Sequence, residues 1–271
     1  YTRCDTLSLH DALPICMQRY KNLFKDVQYK GTFANIQKCL RLNDLDEIGD
    51  GTHSLSFDML GLFSFRELTI KQSIDLMMEF CGSINIIPDY VTIHPDKINE
   101  WKVFYTDYPD IEIRPDTECK WSDGDLGGYC TEFYKNDIEI GNIVNTIDTC
   151  IDIGFGLERL LLVLGLLECN SKLQILEDTS LLLINNGVKI GHYKQEYILK
   201  KLVTESLFNG SLIDNQVFND MRDSHRTVYR KFLQLSARNS NRGKPMSYYK
   251  ETMGFDIIHL EYYKQLGELT C

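Results

Sequence analysis

The sequence predicts a mixed α/β (α+β) fold, in which a domain built on a mainly antiparallel sheet flanked by helices is followed by a helical domain. The first part of the chain alternates polar and apolar residues between turn signals, and the pattern becomes helical from about Gln174. A candidate strand over 35–42 contains Arg41 near its end, and residues 54–60 alternate as a returning strand. Glycines between them at 49–51 mark a turn, so the two strands are expected to form a long hairpin.

The remaining elements are predicted from hydrophobic spacing and turn residues. In the first domain they are a helix over 71–81, a strand over 90–94, a glycine-rich loop over 124–128, a strand pair over 131–134 and 138–144 with its turn at 135–137, and a strand from 151 that leads into a helix at 157. Further helices are predicted over 17–24, 181–188, 193–207, 217–221 and 229–235. The boundary is placed near residue 172, so the predicted domains span 17–172 and 173–271.

Residues 1–16 are predicted to be non-native. In one reading frame, residues 6–15 are the translation of a sequencing-adapter oligonucleotide, ACT CTT TCC CTA CAC GAC GCT CTT CCG ATC. A genuine N-terminal strand is the alternative interpretation. We therefore expect the native sequence to begin near Met17, with the elements that precede it missing from this chain.

Composition excludes several classes of protein. The chain of 271 residues is 43% hydrophobic, which is ordinary for a globular protein, and has no apolar stretch as long as a membrane span. We therefore expect no membrane partner. The sequence shows no secretion signal, and its 9 cysteines show neither a Cys-x-x-Cys pair nor a zinc-type spacing with histidines. These features favour a reduced, cytoplasmic setting.

Charge is distributed unevenly along the chain. The net charge of −10 argues against a general nucleic-acid binder. Residues 189–250 nevertheless contain 12 Lys and Arg against 5 Asp and Glu, whereas the rest of the chain contains 17 against 34. An acidic body with a basic arm is typical of a protein that meets a polyanion at one place. A solvated helical surface with chance clustering is the alternative interpretation.

The segment 151–159, which precedes the apolar residues 160–164, is the most informative motif. It places Asp152, two glycines and a Glu-Arg pair directly before a helix. The glycines let the backbone approach a ligand closely, and a helix start presents free N–H groups to an anion. Arg159 adds a planar cation that suits a phosphate or a base. Taken alone, the segment is equally consistent with a glycine turn before a core helix.

Taken in order, these features resemble the class II aminoacyl-tRNA synthetases, and most closely the alanyl-tRNA synthetase family. The segments that resemble the family's catalytic motifs are 17–24, 37–41, 43–49, 57–65, 121–127, 130–132, 139–144 and 151–159. Residues 184–188, 197–201 and 249–255 resemble its tRNA-recognition region. The resemblance therefore covers nearly the whole chain from Met17.

The resemblance implies activation of a small amino acid, most simply alanine, with ATP and Mg²⁺, followed by transfer to tRNA. The amino-acid carboxylate that attacks the α-phosphate is already ionised, so such a site needs positioning and charge neutralisation rather than a general base. Arg41 is implied to hold the α-phosphate and the carboxylate, Arg159 to lie against ATP, and Asp152 to bind the substrate ammonium. The other implied site residues are Asp58 and Gly156 for ATP, Glu139 and Asn142 for ATP and Mg²⁺, Met59, Trp121, Val144 and Gly154 for the amino acid, and Lys200 and Lys201 for tRNA.

The spacing within the later strand bears on the Mg²⁺ assignment. Glu139 and Asn142 are separated by two residues, with Val144 nearby. They are predicted to share one face of that strand, where their oxygens would suit a hard cation.

The sequence also departs from the family's pattern. Leu42 alone stands where the family has Ala-Gly-Gly-Lys-His, so the loop after Arg41 is short. Asp58 replaces the family's Glu, and Gly141 replaces its Trp. In the helical part, Glu205 and Ser206 stand where basic residues are expected.

Three interpretations follow from these departures. The chain is a reduced synthetase that still charges tRNA, a paralogue that passes the activated amino acid to another acceptor such as a carrier protein, or a non-enzymatic homologue that binds tRNA or a partner. The retained Arg41, Asp152 and Arg159 argue against the third interpretation. Surviving basic helices favour tRNA, whereas the short loop after Arg41 favours the carrier protein.

Overall fold

The computed structural model describes residues 6–8, 20–41, 43–123, 126–146, 149–238, 241, 244–255 and 257–268. The chain divides into two compact units, Tyr1–Ser171 and Lys172–Cys271. Within the described ranges, none of the helices has both the length and the apolar character that crossing a bilayer requires.

A single sheet organises the first unit. Its nine strands within the described residues are β1 (Thr6–Ser8), β2 (Gly31–Arg41), β3 (Ser56–Phe65), β4 (Tyr90–Ile93), β5 (Glu112–Pro115), β6 (Lys120–Asp123), β7 (Leu126–Lys135), β8 (Ile138–Thr146) and β9 (Cys150–Gly156). Their order is β1-β2-β3-β9-β8-β7-β4-β5, and β6 pairs with β7. The β4–β5 pair is parallel, and the other described pairs are antiparallel. The predicted α+β fold with a mainly antiparallel sheet is confirmed.

Helices pack on both faces of this sheet, since Phe24 of the first helix lies in the buried cluster with Phe63 and Val144, on the face opposite the core described next. The described helices of the unit are α1 (Lys21–Lys25), α2 (Ile70–Ser83), α3 (Pro95–Trp101) and α4 (Leu157–Val163). Ile74 and Met77 of α2 and Trp101 of α3 are buried against Ile153 and Phe155 of β9. The odd-numbered residues of β9 therefore face this core, which leaves the even-numbered residues on the opposite face.

The strand hairpins follow the predictions closely. Residues 31–40 pair with 56–65, which confirms the long hairpin. The second predicted pair forms as β7 and β8, and Asn136 and Asp137 have φ of 53° and 60° in the turn between them. Such left-handed values fit the two-residue hairpin turn that Asn and Asp favour. The helix expected over 71–81 is α2, and the strand expected over 90–94 is β4.

The glycine-rich loop predicted over 124–128 is largely a strand. Residues 126–128 begin β7, while 124 and 125 lie outside the described residues. A Cβ on Gly128 would lie 2.3 Å from the carbonyl oxygen of Asn145 on β8. This glycine therefore permits close packing of the two strands. In the sequence alone, the same glycines are typical of a flexible loop.

Gly141 is expected to be irreplaceable by a larger residue. A Cβ there would lie 2.6 Å from the carbonyl oxygen of Gly154, and 2.7 Å and 2.9 Å from side-chain carbons of Phe155 and Met77. Gly141→Ala should therefore lower the free energy of unfolding by about 1–3 kcal/mol, measured by urea denaturation. Gly82→Ala is the matched control, since a Cβ there meets nothing within 4 Å. Equal stability of both variants would contradict the prediction.

The second unit consists of helices. In the described residues they are α5 (Lys172–Asn185), α6 (Lys194–Phe208), α7 (Gln216–Ser236), α8 (Met246–Met253) and α9 (Leu260–Glu268). The separate helices predicted over 217–221 and 229–235 are wrong as two elements, because α7 runs through both. The Asn215 side chain accepts a hydrogen bond from the Val217 backbone at 2.9 Å and so caps the start of α7. The polar stretch over 222–228 continues the helix rather than breaking it, and it includes the buried His225.

Candidate active site

The sheet face opposite α2 carries a cleft above β2, β3, β8 and β9. Antiparallel register places Gly154 opposite Asn142 of β8, and Gly156 opposite Met59 of β3. The cleft encloses about 110 Å³, or about 620 Å³ with its open mouth included. Its lining residues are Arg41, Thr52, His53, Ser54, Phe57, Met59, Glu139, Ile140, Gly141, Asn142, Gly154, Gly156, Glu158 and Arg159.

Both arginines assigned from the sequence line this one cleft. Arg41 ends β2, and its backbone N–H donates to the carbonyl oxygen of Leu55 at 2.8 Å, which fixes the end of the hairpin. Arg159 lies in the first turn of α4, directly after β9. In the sheet β9 lies next to β3, and β3 lies next to β2. Residues that are far apart in the sequence, such as Arg41 and Arg159, therefore meet in one cleft.

In the structure Arg159 forms an ion pair within the cleft. Its Nη1 donates to Glu139 Oε2 at 2.7 Å and to the Glu139 carbonyl oxygen at 3.2 Å. The two side chains are 23% and 27% exposed, respectively. The residue expected to lie against ATP is thus paired with a residue expected to bind Mg²⁺.

An irregularity in β8 brings Glu139 and Asn142 to the same side. Residues three positions apart face opposite sides of a regular strand, so the predicted alternation alone would separate them. The β7–β8 register shifts between Phe133 and Tyr134, and Glu139 pairs with Tyr134 whereas Asn142 pairs with Glu132. Asn142 Nδ2 lies 3.5 Å from Glu139 Oε1. The bulge therefore places side by side the two side chains that the resemblance assigned to Mg²⁺.

Two glycines form the floor of the cleft. A Cβ on Gly154 would lie 3.3 Å from Met59 Sδ and 3.5 Å from Asn142 Oδ1. A Cβ on Gly156 would lie 3.7 Å from the Arg159 side chain. A side chain at either position would fill space beside the functional groups, so the glycines keep this space for a ligand.

Asp152 lies on the same sheet face, two residues before Gly154. It is 9% exposed, and among the described residues neither a hydrogen bond nor a charge contributes to the shift of its pKa. Burial raises the pKa of Asp152 to about 7. A buried carboxyl group without a partner is costly, which makes it a strong candidate for binding a cation from outside.

Two of the other residues assigned to the amino acid, Val144 and Trp121, are absent from the lining of the cleft. Val144 lies directly across from Asp152 on β8 and is 6% exposed. Trp121 of β6 packs against the buried cluster that contains Val144. Met59 is the member of this predicted group that, with Gly154, lines the cleft itself.

Asp58 is placed differently from the other predicted site residues. It follows Phe57 and precedes Met59, both of which line the cleft, but it is absent from the lining. Its carboxylate pairs with Lys38 Nζ at 2.9 Å on the neighbouring strand. The ATP contact predicted for Asp58 stays a prediction, and it would require this ion pair with Lys38 to open.

Glu158 and His53 are cleft residues that the sequence analysis did not assign. Glu158 accepts two hydrogen bonds, at 3.0 Å and 2.9 Å, from the backbone N–H of Asp58 and so ties α4 to β3. His53 is held by the turn before β3, where its backbone N–H donates to Asp50 Oδ1 at 2.9 Å. A polar residue at a helix start or after a turn does not by itself indicate that it lines a cleft or ties two elements together.

The helix that follows the glycines is short. Helix α4 has 7 residues, begins after Gly156 and has no side-chain cap at its start. Glu158 also places a negative charge in its first turn. The anion-binding role expected for this helix start therefore stays a prediction, and the two arginines are the cations that line the cleft.

The residues assigned to tRNA lie in the helical unit. Lys200 and Lys201 are consecutive on α6, with Lys200 half-buried and Lys201 exposed. Consecutive helical residues point about 100° apart, so the two ammonium groups cover different directions.

Comparison with known proteins supports the same family. A family model described as tRNA synthetases class II (A) matches residues 13–112. An alanine–tRNA ligase from Tropheryma whipplei (strain Twist) is 26% identical over 245 aligned residues, which cover 76% of this chain and 28% of that protein. One from Francisella tularensis subsp. tularensis (strain FSC 198) is 27% identical, with 93% and 34% covered. Over these ranges the chain is similar to class II synthetases and to alanine–tRNA ligases. It spans about a third or less of the length of these relatives.

The matched ranges bear on two parts of this synthetase-like chain. Arg41 and Met59 lie inside the family match, whereas Glu139, Asp152 and Arg159 lie beyond its end at residue 112. The cleft geometry is therefore an independent observation that joins the two groups. The match begins at residue 13, inside the segment 1–16, and β1 of that segment pairs with β2. The adapter origin of residues 1–16 stays a prediction.

Proposed function

We propose that this chain activates a small amino acid, most simply alanine, as its adenylate with ATP and Mg²⁺, and transfers it to tRNA. One observation carries the proposal: Arg41 and Arg159 line a single cleft together with Glu139 and Asn142, while Asp152 is buried on the same sheet face. A reduced cytoplasmic setting belongs to the same proposal, since the described cysteines are free thiols.

The donor set of the cleft suits a nucleotide and a hard cation. Two guanidinium groups can hold phosphate oxygens, and the glycine floor leaves room for flat or bulky groups near the backbone. Glu139 and Asn142 supply the oxygen ligands that Mg²⁺ prefers, with phosphate and water completing its shell. Mg²⁺ supplies neutralisation of phosphate charge when it is bound.

The protein's own part in activation is positioning. Arg41 would hold the amino-acid carboxylate against the α-phosphate, and Arg159 would stabilise charge on the nucleotide. No group has to remove a proton, because the attacking carboxylate is ionised at neutral pH. For Arg159 to reach the nucleotide, its ion pair with Glu139 at 2.7 Å must open and Glu139 must turn to the cation. Ligand binding thus replaces the Arg159–Glu139 ion pair with two interactions, one between Arg159 and the nucleotide and one between Glu139 and the cation.

The proposed preference for a small amino acid depends on the surroundings of Asp152. An ammonium bound to Asp152 would place the side chain of the substrate among Val144 and the cluster that Trp121 packs against. Bulky walls of this kind favour a small substrate side chain. Alanine is therefore the simplest substrate, and glycine and serine are the comparisons to test.

Transfer to tRNA is supported by the basic helical unit. Replacing Lys200 and Lys201 with alanine together should weaken tRNA binding and reduce the slope of log affinity against log salt by about one per lost phosphate contact. Filter binding over a salt series would measure this. Lys264→Ala is the control, since Lys264 is paired with Glu261 at 2.8 Å on α9. An unchanged slope would remove these two lysines from the interface.

A carrier protein as acceptor is the second candidate. The loop between β2 and β3 is short, and it is folded onto itself: Asp50 Oδ1 accepts from the backbone of Thr52 at 2.8 Å and of His53 at 2.9 Å. A loop tied down in this way has little reach toward a tRNA acceptor end. This observation favours an acceptor that approaches the cleft directly.

Pyrophosphate exchange followed by charging of total tRNA tests both candidates. We expect ATP–pyrophosphate exchange that depends on alanine and is weaker with glycine and serine, and then aminoacylation of tRNA. Exchange without charging would favour the carrier-protein acceptor. A lack of exchange with every amino acid, from a folded chain, would overturn the proposed activity.

A further inference from the structure

Two cysteines and a glutamate meet at the junction of β6 and β7. Cys119 lies directly before β6, and Cys130 and Glu132 lie on β7. The backbone N–H of Cys130 donates to the carbonyl oxygen of Cys119 at 3.0 Å, so the two cysteines are cross-strand neighbours. Both are buried, while Glu132 is half-buried and gives the cluster an approach from solvent.

The side-chain atoms of this cluster converge on one point. The two sulfur atoms and a carboxylate oxygen of Glu132 all lie within 4.8 Å of one another. Cys130 Sγ lies 3.9 Å from Glu132 Oε1. Ligand atoms of a tetrahedral zinc site, at about 2.0–2.3 Å from the metal, lie roughly 3.5–3.8 Å apart. The cluster is thus slightly wider than a loaded site and could close on an ion by small side-chain rotations.

Neighbouring hydroxyl groups hold the glutamate in place. Tyr134 donates its O–H to Glu132 Oε2 at 2.8 Å, and Thr92 donates to the same oxygen at 3.4 Å. This leaves Oε1 directed toward Cys130. Thr92 also accepts from Cys119 Sγ at 3.1 Å, which places one more oxygen beside the cluster. Hydrogen-bonded support of a first ligand by outer groups is typical of metal sites.

No described cation balances the charge of this cluster. Among the described residues, neither Lys nor Arg forms an ion pair with Glu132. A bound divalent ion would balance the charge of the Glu132 carboxylate and of the two thiolates.

We propose that Cys119, Cys130 and Glu132 bind a thiophilic divalent metal of the zinc class, with Thr92 or a water molecule as a fourth ligand. Two thiolates and a carboxylate select zinc over the hard cation proposed for Glu139 and Asn142. Binding would expel the two thiol protons. The ion would fasten β6 to β7 and thereby fix Trp121, two residues after Cys119. The site depends only on these ligands and does not require the proposed synthetase activity.

Cobalt substitution tests the site by a signal that only thiolate ligands give. Adding Co²⁺ to the reduced whole chain should produce a sulfur-to-metal charge-transfer band and the intense visible bands of tetrahedral cobalt, and Zn²⁺ should displace both. Cys119→Ser and Cys130→Ser should each abolish the charge-transfer signal or reduce it to that of one thiolate, and Glu132→Gln should weaken Zn²⁺ binding at least about tenfold. Cys81→Ser is the matched control, since this buried cysteine lies on α2 outside the cluster. It should leave both signals unchanged.

X-ray absorption of the Zn²⁺-loaded wild-type chain keeps the test decisive if a cysteine variant fails to fold. Two sulfur neighbours at about 2.3 Å with oxygen at about 2.0–2.2 Å are expected. Zinc surrounded by oxygen and nitrogen alone would overturn the site, as would a cobalt signal that survives loss of both cysteines. A Cys119–Cys130 disulfide in the purified chain that forms in preference to metal binding would also overturn it.

Discussion

Replacing Arg159 with alanine is expected to lower kcat/KM for ATP–pyrophosphate exchange by about 10²–10³-fold, which corresponds to about 2.7–4 kcal/mol of transition-state stabilisation. The expectation follows from the position of Arg159 in the same cleft as Arg41, where its charge would offset charge that develops on the nucleotide. A loss of this size is large because a preorganised guanidinium replaces solvent at no cost during the reaction.

Stability separates this role from a merely structural one. The Arg159–Glu139 pair is 23% and 27% exposed, and such ion pairs near the surface contribute about 0–1 kcal/mol. The variant should therefore unfold in urea at nearly the same midpoint as the wild type while losing activity. Arg159→Lys keeps the charge but not the planar group, so it should recover only part of the rate.

Arg114→Ala serves as the matched control for Arg159→Ala. Arg114 lies on β5, over the ring of Tyr90, and pairs with the exposed Glu112 at 2.7 Å. It is outside the cleft lining, and exchange activity should be unchanged. Equal losses in both variants, or a large loss of stability in Arg159→Ala, would argue that Arg159 acts through the fold rather than on the nucleotide.

Alternation and turn chemistry were sufficient to predict the framework of the site. Polar and apolar residues alternate in the returning strand of the Arg41 hairpin and in the strand that contains Asp152. Such alternation specifies which face of a strand is buried. The pairing of β3 with β9 is not local, since it joins residues 59–65 to 150–156. This pairing could be expected only because the order of the motifs resembles a family. Neither composition nor residue spacing indicates it.

The sequence alone could not predict the features of the site that depend on tertiary contacts. The bulge that brings Glu139 beside Asn142 leaves no mark in the hydrophobic pattern, because Ile140 and Ile143 both remain in the core. The pairing of Asp58 with Lys38 likewise depends on the register of two strands. Short strands such as β5 and β6 were missed because four residues give too little periodicity.

Replacing Asp152 with asparagine is expected to lower activity and to raise stability at the same time. A charge-assisted bond to the substrate ammonium contributes about 1.5–3 kcal/mol, so kcat/KM for the amino acid should fall by about 10–150-fold, with the KM for ATP little changed. The folded chain without substrate should gain stability, because the variant no longer buries an ionisable group whose pKa is raised by burial. Opposite signs in the two measurements are characteristic of a binding residue.

The stability difference has a defined pH dependence. Burial raises the pKa of Asp152 from its ordinary 3.8 to about 7 in the folded chain. Below about pH 4 both states hold the proton, and Asp152 contributes nothing to the slope. Between about pH 4 and pH 7 the unfolded chain loses the proton and the folded chain keeps it, so the wild type loses stability as the pH rises. Above about pH 7 the loss of wild-type stability stays constant at about 4 kcal/mol, because each unit of pKa shift corresponds to 1.36 kcal/mol.

Urea denaturation of the wild type and Asp152→Asn at about pH 4 and pH 8 measures this change directly. The constant cost of burying the asparagine amide cancels in the comparison between the two pH values. Asp110→Asn is the control, because Asp110 is exposed and should give the same difference from the wild type at both values. A pH-independent difference for Asp152→Asn would mean that water or another cation already satisfies the carboxyl group. If the activity then also survived, Asp152 would not be the group that binds the substrate amine.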